Sequence, residues 1–221
     1  MATEEAKKRA IEFGMPKDKV KLLGLPIRPD FALKDAQKAR QREKIDLKPK
    51  LFTILMMGGG EGSGKMFEIV KALDEAKLKV QMIVICGRNK HLEEKLAKAA
   101  ETLSFPLKVY GFTEDVAGLM SKSDIIITKG GPGSIAEALA MNLPMIIMSW
   151  LPGQEEGNVK YVRDENVGRV SEDPKEIALI VRELQTNKKE LEKIKENIKR
   201  VRKPHASFDI ARLLLDHIGN A

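Results

Sequence analysis

Apolar segments alternate with helical segments from residue 51 onward, and this alternation constrains the fold more than any other feature of the sequence. The strand candidates lie at 51–57, 79–86, 107–111, 124–128 and 144–149, with a further short one, "GRV", at 168–170. The helical segments between them lie at about 66–76, 90–103, 114–122 and 133–141. Continuous apolar strands separated by helices are typical of a parallel sheet covered on both faces. The sequence therefore predicts an α/β fold with a Rossmann-like parallel sheet.

Segments outside this alternation lie at both ends of the chain. We expect lead-in helices and a linking segment over 1–50, with a polar helix near 35–44, then the sheet domain over 51–203 and a C-terminal helix over 204–221. The last helix carries one apolar stripe formed by Phe208, Ala211, Leu214, Leu215 and Ile218. A stripe of this kind predicts that the helix packs against another surface.

Composition and charge narrow the classes of function. Hydrophobic residues make up 43% and charged residues 32%, and the chain has neither an apolar run of ~20 residues nor a signal peptide, as expected of a soluble cytoplasmic protein. The single cysteine, Cys86, fits a reducing compartment. The net charge of +7 suits an anionic membrane or a phosphorylated ligand. With 5% aromatics and no recognised motif, nucleic acid is not expected as a partner.

The basic residues are densest at 187–203, where Lys alternates with Glu. A solvated helix face explains this pattern, and a helix lying on a membrane surface is the alternative.

The segments after four of the strands are "GGGEGSGK", "GRNK", "KGGPGS" and "WLPGQEEGN". In an open parallel sheet, ligands bind outside the carboxyl ends of the strands. We therefore expect these segments to line one crevice along the same edge.

The first of these loops, within "MGGGEGSGKM" at 57–66, partly fits the phosphate loop of ATPases and GTPases. Lys65 completes G-x-x-x-x-G-K, but Met66 stands where the pattern needs a Ser or Thr hydroxyl for Mg²⁺. Asp124 begins its strand instead of ending it, so the metal-holding Asp is missing as well. The loop is interpreted as a ligand contact, and a P-loop enzyme remains a less favoured alternative.

The second loop, in "TKGGPGSIAEAL" at 128–139, lies at the start of a helix. Free amides near Gly133, Ser134 and Ile135 would lie where a diphosphate binds. Glu137, one turn into the helix, would accept two hydrogen bonds from a ribose diol. The alternative is a capping box, in which the Ser134 and Glu137 side chains satisfy only the helix's own amides.

The third loop, in "SWLPGQEEGNVKYV" at 149–162, places Gln154, Glu155 and Asn158 after a strand. Amides and a carboxylate suit the hydroxyls of a sugar. Alternatively, Gln154 and Glu155 simply form the first turn of a helix.

Taken together, these segments resemble the donor-binding half of the GT-B glycosyltransferases in the group that contains monogalactosyldiacylglycerol synthase and the bacterial processive diacylglycerol glucosyltransferases. The resemblance covers nearly the whole chain and is carried, in order, by "GLPIRPDF", "MGGGEGSG", "VICGRNK", "YGF", "DIIITKGGPGSIAEAL" and "LPGQEEGNVKYV". It implies that 51–203 binds a UDP-sugar, which is a substrate, so that no cofactor or metal is expected. It further implies that the whole enzyme transfers a hexose, galactose or glucose, to diacylglycerol with inversion.

The resemblance also implies roles for individual residues. Backbone groups that contact uracil would come from Tyr110, Gly111 and Phe112. Glu137 would hold the ribose, and the diphosphate turn would include Gly131, Gly133 and Ser134. The residues that face the donor sugar would be Gln154, Glu155 and Asn158. The first loop would approach the donor with Gly60 and Glu61. Arg88 and Asn89 belong to the same donor-binding motif without a defined role.

An N-terminal domain that binds the acceptor lipid and supplies the general base is also implied, and none of it is recognisable in this sequence. The histidines, His91, His205 and His217, lie outside the predicted loops, so the catalytic base is unknown. We therefore expect the isolated chain to bind UDP or a UDP-hexose with little or no transfer. Diacylglycerol and an anionic membrane surface are expected as partners of the full-length enzyme alone, which would be peripheral on the membrane. A non-catalytic or redesigned Rossmann-like scaffold is the alternative.

Overall fold

Parallel strands form one six-stranded sheet in a computed structural model of the protein, which describes residues 1–34, 47–62 and 65–219. The strands are β1 Phe52–Met57, β2 Val80–Ile85, β3 Leu107–Tyr110, β4 Ile125–Lys129, β5 Met145–Ser149 and β6 Gly168–Val170. Their order in the sheet is β3-β2-β1-β4-β5-β6, and every neighbouring pair is parallel. The predicted α/β fold is confirmed, including the short sixth strand.

Helices surround this sheet. They are α1 Glu4–Glu12, α2 Pro29–Lys34, α3 Met66–Glu75, α4 Lys90–Ala100, α5 Val116–Ser121, α6 Pro132–Ala140, α7 Glu156–Asp164, α8 Pro174–Thr186, α9 Lys188–Val201 and α10 Ala206–Gly219. The polar helix expected near 35–44 lies outside the described residues. The proposed division into 1–50, 51–203 and 204–221 stays a prediction.

The core lies on both faces of the sheet, which explains why the strands are almost entirely apolar. All six residues of β2 are buried, as are the apolar residues of β4 and β5. Phe31 and Leu47, from the lead-in segment, belong to the same core. Each fully buried Val, Leu, Ile, Phe or Met side chain contributes about 1.5–3 kcal/mol of transfer free energy. The sheet is therefore a stable base for the loops at its edges.

The direction in which successive strands are added to the sheet reverses at β1 and β4. The order β1, β2, β3 runs toward one edge of the sheet, and β4 then returns to the other side of β1. Ligands of open α/β sheets bind at this topological switch point, outside the carboxyl ends of the two strands. The loops that begin at Gly58 and Gly130 therefore occupy the expected position of a binding site.

The apolar stripe of α10 is largely exposed in this chain. Phe208, Leu214, Leu215 and Ile218 are between 47% and 73% exposed. The surface that the stripe was expected to pack against is not found among the described residues. Within the same ranges, no helix is both long and apolar enough to span a bilayer.

Candidate functional site

The loops that follow β1 and β2 pack backbone against backbone. The amide of Arg88 donates to the carbonyl oxygen of Gly60 at 2.7 Å. Gly87 has a φ of +61°, and a Cβ there would lie 2.3 Å from the same oxygen. Gly62 has a φ of +58°, and its Cβ would lie 2.3 Å from the carbonyl oxygen of Cys86. Glycine is therefore required at both positions, since any side chain would force the loops apart.

Three side chains cover these loops on the outside. The Nη1 atom of Arg88 lies 3.3 Å from Oε1 of Glu61, and the Arg88 guanidinium lies 5.5 Å from the centre of the Phe112 ring. Phe112 is 63% exposed. Because an exposed ion pair of this kind contributes about 1 kcal/mol or less, these side chains can rearrange around a ligand.

Tyr110 and Asn89 have partners inside the chain. The carbonyl oxygen of Tyr110 accepts a hydrogen bond from the Cys86 amide at 2.8 Å, as part of the sheet. Oδ1 of Asn89 accepts from the Leu92 amide at 2.9 Å and caps α4. Of the "YGF" segment, Gly111 and Phe112 therefore retain the backbone groups that best suit a base.

The N-terminus of α6 faces open space. The helix begins at Pro132 with Gly131 as its N-cap, so Gly133 and Ser134 lie in the first turn, where amides have no intrahelical partner. The Ile135 amide donates to the Gly131 carbonyl at 3.1 Å, so the expectation that it is free is wrong. A Cβ on Gly133 would meet no atom of the described residues within 4 Å, which leaves its surroundings accessible to a ligand.

The capping-box alternative does not fit this helix. Ser134 is the third helical residue, not the N-cap, and the cap has no side-chain hydrogen bond. The helix starts earlier than the capping pattern requires because Pro132 takes the first helical position, where its fixed φ is favourable.

Glu137 lies one turn further along α6 and is partly buried. Burial raises its pKa from 4.5 to about 7, an effect that the nearby Arg28 reduces and Asp30 increases. At neutral pH the carboxyl group therefore divides between its protonated and ionised forms. Arg28 also donates to Asp30 Oδ2 at 2.9 Å, while the buried Oδ1 atom of Asp30 has no hydrogen-bond partner among the described residues.

Glu155 is placed differently from the expectation that it faces the donor sugar. It is only 3% exposed. Its Oε2 accepts from the Leu151 amide at 2.9 Å, and its Oε1 lies 3.2 Å from Nζ of Lys129. The neighbouring Gln154 is exposed, and Asn158 Nδ2 donates to the carbonyl oxygen of Gly130 at 2.9 Å. The third loop is thus fastened to the end of β4.

A cavity of about 690 Å³ lies beside these residues, between α1, α6 and α7. Ile135, Leu139 and Tyr161 contribute to its lining. Asn158 is the one predicted site residue that lines it. The cavity therefore adjoins the loop edge instead of coinciding with it.

Two charged residues near the site were missed from the sequence. Lys129 ends β4 directly before the second glycine loop, and Arg28 lies in the link segment close to Glu137. For Lys129, its position at the carboxyl end of a strand and beside a glycine loop already indicated a site residue. The sequence carries no comparable signal for the second, because its proximity depends on how the link folds back.

These loops carry groups that can bind an anion, a diol and an aromatic ring. The first turn of α6 offers amides to an anion, Lys129 adds a positive charge, and Glu137 offers a carboxyl group to a diol. Phe112 offers an exposed aromatic face at the end of β3.

Residues 53–211 match the glycosyltransferase family 28 C-terminal domain. The chain belongs to this family. Monogalactosyldiacylglycerol synthase 2 of Arabidopsis thaliana is 42% identical over 95% of this chain and 46% of its own length. Monogalactosyldiacylglycerol synthase 1 of the same plant is 39% identical over 93% of this chain and 40% of its own length. The resemblance found in the sequence is confirmed, and the family 28 domain spans less than half the length of these relatives.

Solved structures confirm the fold of the family 28 domain. The UDP-GlcNAc 2-epimerase of Neisseria meningitidis, bound to UDP-GlcNAc, has a TM-score of 0.71 at 17% identity, covering 97% of this chain and 59% of that one. MurG of Acinetobacter baumannii has a TM-score of 0.61 at 19% identity, covering 81% and 53%. Anabaena HepE, in complex with UDP and glucose, has a TM-score of 0.60 at 17% identity, covering 96% and 61%. The chain is thus one half of a GT-B fold, which an epimerase shares with glycosyltransferases.

Proposed function

We propose that this chain binds the UDP portion of a UDP-hexose at the carboxyl edge of its sheet. In the whole protein it would be the donor-binding half of an inverting glycosyltransferase that transfers galactose or glucose to diacylglycerol. The curated relatives support the transferase activity and the lipid acceptor, since they are named as monogalactosyldiacylglycerol synthases. The donor is a substrate in this proposal, which includes no cofactor and no metal.

The observation that carries this proposal is the convergence of complementary groups on one rim. The amides of Gly133 and Ser134 would bind the diphosphate, and Glu137 would accept hydrogen bonds from the ribose diol. Gly111 and Phe112 would contact the uracil at the end of β3. A Cβ at Gly60 or Gly133 would meet none of the described residues within 4 Å, so the space beside these two glycines is open to a ligand.

A P-loop enzyme is not favoured, because the residues it would use are engaged elsewhere. Nζ of Lys65 donates to the carbonyl oxygen of Glu172 at 3.3 Å. Met66 is fully buried in the core at the start of α3. Neither side chain is placed to bind a magnesium nucleotide.

The acceptor and the general base belong to the rest of the enzyme in this proposal. His91 lies in the first turn of α4, while His205 and His217 lie before and within α10. Diacylglycerol and an anionic membrane surface are partners of the whole enzyme, which would be peripheral on the membrane. On α9, Lys195 and Lys199 pair with Glu192 and Glu196 at 2.7 and 2.6 Å, which favours a solvated face for that helix.

Calorimetric titration of the 221-residue chain with UDP tests the proposal. We expect saturable binding of UDP without Mg²⁺, weaker binding of ADP and no binding of Mg²⁺-ATP. No heat with UDP or UDP-hexoses would support the scaffold alternative, and Mg²⁺-dependent ATP binding would support the P-loop alternative. Incubation with UDP-galactose or UDP-glucose and diacylglycerol micelles is expected to give little or no glycolipid.

The variant Gly133→Ala tests whether UDP binds at the N-terminus of α6 without lowering the stability of the protein. Alanine is favoured over glycine in a helix by about 1 kcal/mol, and its methyl group would meet none of the described atoms within 4 Å, so the unfolding temperature should not fall. The same methyl group would obstruct the approach of a phosphate to the helix N-terminus. We expect weaker UDP binding by a protein that is at least as stable.

A further inference from the structure

We propose that Lys129 is the charged group that holds the diphosphate of the donor, and that the buried Glu155 positions it. This inference rests on the proposed function, because it assigns residues to the same UDP-hexose site. Neither role follows from the sequence pattern, which predicted Glu155 as a contact of the sugar and gave no role to Lys129.

The position of Lys129 in the fold is the first argument. It is the last residue of β4, one of the two strands that flank the topological switch point. The pairing of β4 with β5 is irregular there, because Thr128 pairs with Ile147 whereas Lys129 pairs with Ser149. The unpaired residue is Met148 of β5, and irregularities of this kind are frequent beside active sites.

The path of the Lys129 side chain is the second argument. Its Cε lies 3.3 Å from where a Cβ would stand on Gly59 and 3.3 Å from where one would stand on Gly131. Nζ lies 3.7 Å from the latter position. The side chain thus runs between the first and second glycine loops and ends beside the N-cap of α6. There the ammonium group and the first-turn amides of the helix attract the same anion.

The surroundings of Glu155 are the third argument. A carboxylate that is 3% exposed is costly unless both oxygens are satisfied, and here Oε2 accepts from the Leu151 amide while Oε1 pairs with Lys129. Glu155 cannot turn toward a sugar without leaving these partners. The Lys129 side chain is 31% exposed, and its ammonium group has three donors, of which Glu155 accepts one. Glu155 therefore holds the cation in place while part of it stays accessible to a ligand.

The rival explanation is an ion pair that only braces β4 against the loop after β5. Such a brace would affect every ligand through the fold, whereas a phosphate contact would affect only ligands that carry phosphate. The ratio of the affinities for UDP and for uridine separates these explanations.

The experiment measures UDP by calorimetry and uridine by ligand-observed NMR, with the full chain and the variants Lys129→Met and Lys129→Arg. We expect Lys129→Met to lower the affinity for UDP about 10- to 100-fold, as for a lost charge-assisted hydrogen bond, with the affinity for uridine unchanged. Lys129→Arg, which keeps the charge, should retain most of the affinity for UDP. Glu155→Gln should lower UDP affinity by a smaller factor and again spare uridine.

Lys129→Met alone leaves the buried Glu155 carboxylate without its counter-charge and can therefore unfold the protein. The double variant K129M/E155M tests the loss of Lys129 without this effect. It removes both charges, and such a replacement is often neutral or stabilising. UDP affinity that is unchanged in folded Lys129→Met, or in the folded double variant, overturns the inference and leaves the proposed function intact. Parallel losses of UDP and uridine overturn it in favour of the brace. Absence of UDP binding by the unaltered chain would instead defeat the proposed function itself.

Discussion

Nη2 of Arg28 donates a hydrogen bond of 2.7 Å to the carbonyl oxygen of Glu114, 86 positions further along the chain. This contact fastens the link segment before the sheet to the loop after β3, two residues beyond Phe112. The same guanidinium is close enough to Glu137 to oppose the rise in pKa that burial causes in that carboxyl group. Arg28 therefore connects the proposed uracil position with the proposed ribose position.

Replacement of Arg28 by Ala should raise the pKa of Glu137 further above its ordinary value and loosen the loop at Glu114. Because the Arg28 side chain is about half exposed, we expect only a few-fold loss of UDP affinity at pH 7. Titration calorimetry at several pH values measures the change. Arg28→Lys keeps the positive charge and serves as the control; a loss that is equal in both variants would show that the contact with Glu114 matters more than the charge.

Glu137→Ala tests the proposed ribose contact. Removal of a carboxylate that accepts hydrogen bonds from the diol should weaken UDP binding by about 1–3 kcal/mol at pH 8, where the group is mostly ionised. The 2′,3′-dideoxy analogue of UDP should bind the unaltered chain and the variant with similar affinity. If the variant discriminates between UDP and this analogue as the unaltered chain does, Glu137 does not hold the ribose.

The raised pKa of Glu137 also predicts how stability depends on pH. The folded protein binds this proton more tightly than the unfolded chain does, so the Glu137 contribution to the free energy of unfolding is largest below pH 4.5. It decreases as the pH rises toward about 7. After allowance for partial exposure, the decrease should amount to about 1–3 kcal/mol.

Urea unfolding of the unaltered chain and of Glu137→Gln at pH 4.5, 6 and 8 measures the Glu137 contribution to the free energy of unfolding. These pH values span the interval from the ordinary pKa of 4.5 to the raised pKa of about 7. Glutamine keeps the shape of the side chain but does not ionise. The stability of the variant relative to the unaltered chain should therefore increase with pH. A difference that is constant over this range would show that Glu137 titrates near its ordinary value in the fold.

The strands could be predicted from the sequence because parallel strands that are buried on both faces are almost entirely apolar. "KVQMIVIC" and "DIIIT" carry such apolar runs, and the structure places β2 and β4 on them, with Gln81 as a buried polar residue within β2. Their alternation with helices also fixed which loops share an edge. The position of the candidate site therefore followed from topology rather than from any one motif.

The roles of individual side chains were less predictable, because they depend on contacts that are distant in sequence. Glu155 was interpreted as a sugar contact because of the loop in which it lies. Its partner in the structure is Lys129, which lies 26 positions earlier at an irregular point in the pairing of β4 with β5. The start of α6 was placed one residue late, although Pro132 carried a signal for the first helical position. Burial and register, which decide both cases, are properties of the assembled sheet.

The two glycine positions at the loop contact provide a final test of the site's construction. Gly87→Ala places a methyl group 2.3 Å from the carbonyl oxygen of Gly60, at a φ of +61°. We expect it to lower the free energy of unfolding by about 1–3 kcal/mol or more, since it combines a left-handed conformation with a backbone clash. Gly60→Ala is the matched control, because its methyl group would meet no atom of the part of the chain that the structure describes within 4 Å. It should leave the free energy of unfolding within about 0.5 kcal/mol of the unaltered chain. Urea unfolding measures both values.

If Gly60→Ala keeps this stability but weakens UDP binding, the first loop contacts the donor. Equal destabilisation by Gly60→Ala and Gly87→Ala would mean that the contact between the loops is not as close as the structure places it.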